Sequence, residues 1–174
     1  QRLGVMDVEI DDIYLGNGVS ELITLSMQAL LNNGDEVLIP APDYPLWTAA
    51  VSLSGGNPIH YHCDEQADWF PDLVDIESKI TANTRALVVI NPNNPTGTWI
   101  PRAELHRLRR ELPEHVLLVV DAAYSEYCDQ DEYSFGEELI EAEDGNTVVL
   151  HTFSKIFGLA SLRVGWARAP REVA

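Results

Sequence analysis

The sequence predicts an α/β fold in which a mostly parallel sheet carries helices on both faces, a three-layer αβα arrangement. Short apolar runs alternate with amphipathic stretches along almost the whole chain. Most of these runs are apolar throughout, as expected for strands that are buried on both faces of a parallel sheet. Several connecting segments begin with Pro, Asp or Ser and end with Gly or Asn, which are the residues that start and stop helices.

Six apolar runs are predicted to be strands, and four amphipathic stretches between them are predicted to be helices. The strands are residues 12–16, 36–40, 58–62, 86–91, 116–121 and 147–152. The helices are residues 20–33, 45–56, 72–80 and 101–112. With 174 residues and 45% hydrophobic content, the chain is long enough for one domain with a core of its own.

Two further segments complete the predicted fold. The run at residues 163–169 follows strand 147–152 too closely for a full helical crossover, so we expect it to pair antiparallel. The acidic stretch at residues 129–145 is predicted to form a solvated loop and helix.

The net charge of −17 argues against nucleic acid and anionic membranes as partners, since both need a basic surface. An acidic balance can also reflect only solubility or a salt-rich habitat. No apolar run approaches the ~18 residues of a membrane helix. Cys63 and Cys128 form no metal-binding or CxxC spacing, so we expect reduced thiols and a cytoplasmic location.

Polar residues just beyond the strand ends are the candidates for function, because ligands of such sheets bind beyond the carboxyl ends of the strands. After strand 12–16, the stretch GNGVSELI leads into a helix. The free backbone N–H groups and the dipole at this helix start are expected to form an anion site, for a phosphate. Glycine-rich turns between a strand and a helix are also common without any ligand.

The next two strand ends carry an aromatic residue and a constrained polar loop. Tyr44 lies between Asp43 and Pro45, so its stiffened backbone can present the ring to a ligand, or the ring can be part of the core. The stretch NPNNPTG at residues 91–97 contains three asparagines and two prolines. This composition predicts a rigid turn with outward side-chain amides. Because so many of the seven residues restrict the backbone, a binding role is favoured over a plain turn.

Asp121 ends the apolar strand 116–121, where a carboxylate is costly unless a cation meets it. The cation can be a structural arginine or the protonated ring nitrogen of a cofactor. Both interpretations remain open at this point.

Lys155 is one of only two lysines, and the other, Lys79, ends an amphipathic helix where we expect it to be solvated. A reactive lysine must lose its proton, and a buried, partly apolar site favours the neutral amine. Thr152, Ser154 and Arg163 supply hydroxyl and guanidinium groups that hold phosphates. We therefore expect Lys155 to form an imine with a carbonyl compound whose phosphate is held by these neighbours.

The ordered motifs GNGVSE, PDYP, NPNNPTG, DAAY and SKIFGLASLRVG resemble the large domain of class I/II aminotransferases of fold type I, which use pyridoxal 5′-phosphate (PLP). The resemblance covers essentially the whole chain. It implies amino-group transfer from an L-amino acid, alanine-like or histidinol phosphate, to a 2-oxo acid. A PLP lyase or decarboxylase on the same fold is a weaker alternative.

The same resemblance implies a role for each candidate residue. Lys155 is the Schiff-base lysine and the base that moves the substrate proton, and Asp121 pairs with the pyridinium nitrogen. Tyr124 and Asn94 hydrogen-bond to the phenolic oxygen of the cofactor, and Tyr44 stacks on its ring. The phosphate is bound by the backbone amides of Val19 and Ser20 and by the side chains of Thr152, Ser154 and Arg163.

Residues 1–174 are then a PLP-binding large domain without the N-terminal arm and C-terminal small domain of the family. No residue matches the family's arginine that clamps the substrate carboxylate, which makes a non-catalytic minimal domain the alternative function. Residues 1–97 resemble bacterial alanine-type enzymes and residues 98–174 resemble histidinol-phosphate aminotransferases. This difference predicts a recombinant or designed chimera with a junction near 91–98; a natural lineage with mixed features is the alternative.

We also expect a homodimer, because the family's active site is completed across two subunits and several apolar residues flank the motifs. These residues, predicted to be exposed, are Trp99, Ile100, Phe153, Ile156, Phe157, Leu159 and Trp166.

Overall fold

The computed structural model describes residues 13–140 and 146–170, which contain an eight-stranded sheet and four α-helices. The strands are β1 (Ile13–Asn17), β2 (Glu36–Ala41), β3 (Asn57–Asp64), β4 (Phe70–Pro71), β5 (Thr84–Ile90), β6 (Leu117–Asp121), β7 (Thr147–Thr152) and β8 (Val164–Arg168). The helices are α1 (Val19–Leu30), α2 (Leu46–Leu53), α3 (Leu73–Lys79) and α4 (Arg102–Glu111). Each predicted strand and helix is present with small shifts of its ends, although residue 12 lies outside the described residues.

The strand order is β1-β8-β7-β6-β5-β2-β3-β4. Strands β7, β6, β5, β2 and β3 are parallel to their neighbours in this central run. Strand β8 is antiparallel to both β7 and β1, so β1 runs in the same direction as the central strands. The predicted fold class and the antiparallel strand near residue 165 are therefore confirmed.

The core lies on both faces of the sheet because successive side chains of each strand point to opposite sides. In β6, Leu117 and Val119 belong to the core cluster that α1 and α2 cover. The intervening Leu118 and Val120 belong to the cluster that α3 and α4 cover. A strand buried in this way needs apolar residues at every position, which explains the unbroken apolar runs of the sequence.

Within the predicted solvated loop and helix at 129–145, residues 129–132 are exposed as expected, but the prediction is wrong for residues 133–140, which include buried residues and no α-helix. Tyr133, Ser134, Leu139 and Ile140 are buried, and regular structure between residues 129 and 140 is limited to one short 3₁₀ turn, Glu137–Leu139. Leu139 and Ile140 belong to the core cluster under α3 and α4. Burial of their apolar surface stabilises this packing, although the neighbouring residues are acidic and favour solvent. Residues 141–145 of this prediction lie outside the described residues.

Four of the seven apolar residues predicted to be exposed are placed differently, since Ile100 is buried and Trp99, Phe153 and Trp166 are only partly exposed. Ile100 is buried in the cluster under α3 and α4, where it follows the polar loop back into the core. Trp166 stacks on the His151 ring, with 4.1 Å between the ring centroids. Ile156, Phe157 and Leu159 do remain exposed, at 44%, 48% and 41% of their surface.

Strand β4 was not predicted because a two-residue strand has no periodicity to detect. Within the two described ranges, no helix has both the length and the apolar character needed to cross a bilayer.

Candidate active site

One cavity of about 260 Å³ opens at the carboxyl edge of the parallel strands, and all ten predicted site residues line it. They are Val19, Ser20, Tyr44, Asn94, Asp121, Tyr124, Thr152, Ser154, Lys155 and Arg163. They come from five separate strand ends, those of β1, β2, β5, β6 and β7, and from the segment between β7 and β8. This convergence follows from strand direction, while the role of each residue stays a prediction.

One end of the cavity is formed by the start of α1. Gly18 precedes this helix with φ of 78° and ψ of 170°, and no side chain caps the helix start. A Cβ on Gly165 of β8 would lie 2.7 Å from the Val19 nitrogen. Glycine at this position therefore lets β8 approach the first turn of α1, whose N–H groups and dipole favour an anion.

The Arg163 side chain lies against this helix start. Its Nη1 donates to the Ala160 carbonyl at 2.9 Å and to Ser154 Oγ at 3.4 Å. Its Nη2 donates to the Asn17 carbonyl at 3.4 Å, which joins the end of β1 to the residue before β8. The backbone of Arg163 has φ of 52°, an uncommon conformation for a residue with a side chain. A guanidinium, hydroxyl groups and the helix start thus lie together at one end of the cavity, which we call the anion corner after the role predicted for it.

Asp121 ends β6 with only 3% of its surface exposed. Its Oδ2 accepts a hydrogen bond from the indole Nε1 of Trp47 at 3.0 Å, and its Oδ1 accepts one from the Ala123 amide at 3.2 Å. Burial raises the pKa of Asp121, while these two hydrogen bonds and the charge of Lys155 oppose the rise. Among the described residues no arginine forms an ion pair with it, so the structural-arginine alternative is not what this structure shows.

Lys155 lies in the turn after β7 with its ammonium over the ring of Tyr124, 4.7 Å from the ring centroid. The sequence predicts a buried, partly apolar site for this lysine, but Lys155 is only half-buried, so the site is partly open to solvent. The Tyr124 ring holds the cation by its negative face. Lys79, which we expected to be simply solvated, instead pairs with Asp75 at 2.6 Å, because the two residues are one helical turn apart.

The three asparagines of the 91–97 loop do not act alike, and the prediction of outward amides is wrong for Asn91. This residue is fully buried: its Nδ2 donates to the Ser134 carbonyl, and its Oδ1 accepts from the Ile100 amide, each at 2.9 Å. Asn93 closes the turn by accepting from Thr96. Only Asn94 of the three lines the cavity.

Sequence reasoning did not single out Trp47, which touches the central carboxylate of the site. The available signal was chemical, because a buried indole N–H usually finds an acceptor. Trp47 lies on the apolar face of a predicted helix three residues after Tyr44, but sequence alone does not show which strand end that face meets.

A second, more open cavity of about 440 Å³ adjoins the first. Asn94 and Tyr124 line both cavities, and Trp99, Tyr127 and Gln130 help to form the outer wall of the second one. A small molecule can therefore lie beside the phenol of Tyr124 without entering the anion corner.

The fold and the cavity define an α/β domain with a small-molecule-sized cavity at the carboxyl edge of its sheet, lined by a buried carboxylate, a lysine and a guanidinium. The chain belongs to the family "Aminotransferase class I and II", which it matches over residues 3–174. The family resemblance and the fold expected from it are thereby confirmed. Members of this family use PLP as their cofactor.

Individual relatives give the same result. The glutamate–pyruvate aminotransferase AlaA of Escherichia coli (strain K12) is 50% identical over 169 residues, which are 95% of this chain and 41% of that protein. The histidinol-phosphate aminotransferase of Rhodopseudomonas palustris is 41% identical over 163 residues, which are 94% of this chain and 44% of that protein. A solved aminotransferase structure from Escherichia coli has a TM-score of 0.85 at 47% identity, covering 94% of this chain and 41% of that one.

The chain spans about two fifths of the length of the curated relatives that it matches. Both kinds of relative match nearly the whole chain, so neither match is confined to one half. The junction near residues 91–98 stays a prediction.

Proposed function

We propose that residues 1–174 form the cofactor-binding domain of a PLP-dependent aminotransferase, which moves the amino group of an L-amino acid to a 2-oxo acid. One observation carries this proposal: a single cavity joins a buried carboxylate, a lysine amine and an anion corner. Membership in the aminotransferase family supports it, and so does the relative at 50% identity.

The cavity suits PLP because it offers a different partner to each polar group of that molecule. The anion corner presents N–H, hydroxyl and guanidinium donors, which are the groups that bind a phosphate. The buried Asp121 has an oxygen lone pair left beside each of its two hydrogen bonds and can accept from a protonated ring nitrogen. Tyr124 and Asn94, which line the same cavity, supply hydrogen-bond donors for a phenolic oxygen, and Tyr44 supplies an aromatic ring to cover that of the cofactor.

When bound, PLP supplies an aldehyde that condenses with a primary amine and a protonated ring that withdraws electrons from the reacting carbon. The carboxylate of Asp121 keeps the ring nitrogen protonated through a charge-assisted hydrogen bond. The Nζ of Lys155 takes the proton from the α-carbon of the substrate and returns it later, as a general base and acid. The anion corner holds the phosphate, which keeps the ring in one orientation beside Lys155.

We propose alanine and pyruvate as one amino-acid and oxo-acid pair of the whole protein. The 50% identical relative is named a glutamate–pyruvate aminotransferase, whereas the histidinol-phosphate relative is 41% identical. The outer cavity beside Asn94 and Tyr124 is the space in which such a substrate approaches Lys155. No residue of this sequence matches the arginine that clamps the substrate carboxylate in the family, so turnover of an amino acid is the feature that a test must measure.

Cofactor binding and turnover are tested in sequence. PLP added to the chain should give visible absorbance, and borohydride should fix the cofactor to the peptide that contains Lys155. Lys155→Ala is the matched control and should remain folded without being labelled. Labelling at Lys79 or at the N-terminus of the wild-type chain would refute the assignment.

The amino-acid challenge then separates the possible reactions. L-alanine should convert bound PLP to pyridoxamine phosphate with release of pyruvate, both measured by chromatography, and histidinol phosphate should react more slowly. Release of carbon dioxide or ammonia without pyridoxamine phosphate would identify a decarboxylase or a lyase instead. Cofactor binding without any of these products would favour the non-catalytic domain.

We further propose that the chain pairs with a second copy. Leu15, Ile156, Phe157, Leu159 and Leu162 are all large apolar residues with more than two fifths of their surface exposed, and β1 is an edge strand. The net charge of −17 opposes association, but screening over ~8 Å at physiological salt leaves short-range burial dominant. Sedimentation at micromolar concentration is the test, and a monomer at all salt concentrations would refute the proposal.

A cytoplasmic location is the remaining proposal. The free thiols of Cys63 and Cys128 support it, because unpaired cysteines persist in a reducing compartment.

A further inference from the structure

Trp47 donates the only side-chain hydrogen bond that Asp121 receives within the described part of the chain. We propose that Trp47 is a positioning residue whose indole N–H fixes the Asp121 carboxylate in the orientation and charge that a protonated ring nitrogen requires. This inference rests on the proposed function, since it assigns Asp121 to the cofactor.

The contact joins elements that are distant in sequence. Trp47 lies in the first turn of α2 and Asp121 ends β6, 74 positions later, yet Nε1 and Oδ2 are 3.0 Å apart. Trp47 is among the largest side chains that are completely buried. A buried indole N–H without an acceptor is unfavourable, so the tryptophan side needs this hydrogen bond as well.

The two donors act on the two oxygens of the same carboxyl group. Trp47 occupies Oδ2, and the Ala123 amide occupies Oδ1 at 3.2 Å. Rotation of the carboxyl plane would break both bonds, so the plane is held in one orientation. Each oxygen retains one acceptor position, and Asp121 lines the cavity in which the ring nitrogen is proposed to lie.

The same hydrogen bond acts on the charge of Asp121. Burial raises the pKa of this carboxyl group, and the Trp47 bond is the largest influence that opposes the rise, ahead of the Ala123 amide and the Lys155 charge. A neutral Asp121 would be a poor partner for a cationic ring nitrogen, because the charge-assisted part of the bond would be lost. Loss of the indole N–H should therefore weaken cofactor binding without any change at the cofactor's own contacts.

Trp47 is also tied to the residue proposed to cover the ring. Its backbone N–H donates to the Tyr44 carbonyl at 3.0 Å, at the start of α2. The short stretch DYPLW thus carries both the ring contact and the carboxylate donor. A shift of this turn would move both groups together.

Trp47→Phe is the decisive variant because it removes the N–H and keeps an aromatic ring in the core. Trp166→Phe is the matched control, since Trp166 packs on His151 and does not line the cofactor cavity. The first measurement follows the Asp121 carboxyl carbon by NMR against pH, without PLP, with the signal assigned by its loss in Asp121→Asn. We expect the pKa of Asp121 to rise further in Trp47→Phe and to stay unchanged in Trp166→Phe.

The second measurement is the dissociation constant of PLP across the pH range. Trp47→Phe should bind PLP about tenfold more weakly at mildly acidic pH. Because Asp121 must be ionised, a higher pKa moves the acidic loss of binding to higher pH, so the two curves should converge as pH rises. In an Asp121→Asn background the Trp47→Phe change should have no further effect on the acidic limb, since its target is gone.

Each outcome decides the inference. An unchanged Asp121 titration in Trp47→Phe, or equal weakening at every pH, would overturn the inference, because Trp47 would then not set the charge of Asp121. Should Trp47→Phe not fold, 3-benzothienylalanine at position 47 replaces the N–H with sulfur in nearly the same shape and makes the same test. If the wild-type chain binds no PLP, the proposed function fails, while the cofactor-free titration still decides whether Trp47 sets the state of Asp121.

Discussion

Replacing Gly18 with alanine tests the anion corner, because the start of α1 and the Arg163 guanidinium meet at this glycine. Its φ of 78° and ψ of 170° fall in a region that is essentially restricted to glycine. A Cβ at this position would lie 2.6 Å from Arg163 Nη2. The guanidinium is the far end of a flexible side chain, so we expect it to move away while the backbone stays in place.

The cost to stability is set by the backbone and can be measured separately. Alanine in this conformation should lower the free energy of unfolding by about 1–3 kcal/mol, which is within the ~5–15 kcal/mol of a typical domain. Gly34→Ala is the matched control, because Gly34 has φ of 91° and a Cβ there would have no atom within 4 Å. Urea unfolding should show a lower free energy of unfolding in both variants. In Gly34→Ala the strained backbone is the only cause of this decrease.

The two variants should differ in ligand binding. Displacing Arg163 removes a charge-assisted contact to the phosphate, which is worth about 1.5–3 kcal/mol, so Gly18→Ala should bind PLP about 10- to 100-fold more weakly. Tryptophan fluorescence titration with PLP and with pyridoxal, which has no phosphate, measures this difference. We expect pyridoxal affinity to be unchanged in both variants. Equal losses for PLP and pyridoxal, or unchanged PLP affinity, would refute the assignment of the anion corner.

Three other changes have distinct expected outcomes. Asp121→Asn should weaken PLP binding far more than it changes the melting temperature; normal binding by a destabilised protein would make Asp121 structural. Leu159→Glu, at an exposed apolar position, should shift the sedimentation coefficient from dimer to monomer, and an unshifted dimer would place the interface elsewhere. Burial lowers the pKa of His151 to about 3 from a usual value of 6.5, so the unfolded chain binds more protons between these values. The free energy of unfolding should therefore fall as pH falls from 6.5 towards 3. Urea unfolding of His151→Phe should show a weaker dependence on pH. An equally steep profile would assign the acid sensitivity to other groups.

The sheet and the convergence of the ten cavity residues could be predicted because they depend on local signals. An unbroken apolar run implies a strand buried on both faces, as β6 and β7 are. Once the strands are parallel, their carboxyl ends lie at one edge, and the polar residues that follow them must meet there. No knowledge of side-chain contacts is needed for this step.

The inward side chain of Asn91 and the Trp47 contact could not be predicted in the same way. Asn91 is as polar as Asn94 and lies only three positions away, yet it turns into the core to bond Ile100 and Ser134. Trp47 contacts Asp121 because of how α2 lies across the sheet. Each contact depends on which unpaired backbone group or carboxylate the fold brings close to the side chain. No local sequence pattern shows which distant group that is.

The pairing of β1 with β8 has a consequence for the order in which the anion corner forms. Arg163 Nη2 contacts the Asn17 carbonyl across 146 positions; Asn17 ends β1, and Arg163 directly precedes β8, the neighbouring strand in the sheet. During translation, α1 therefore emerges long before the residues that complete its anion corner. A nascent chain that has not yet added residues 152–163 lacks the hydroxyl and guanidinium groups of this corner, however well its first strands have paired. The complete corner would thus form only when β8 pairs with β1, a contact of very high sequence separation that forms slowly compared with local structure.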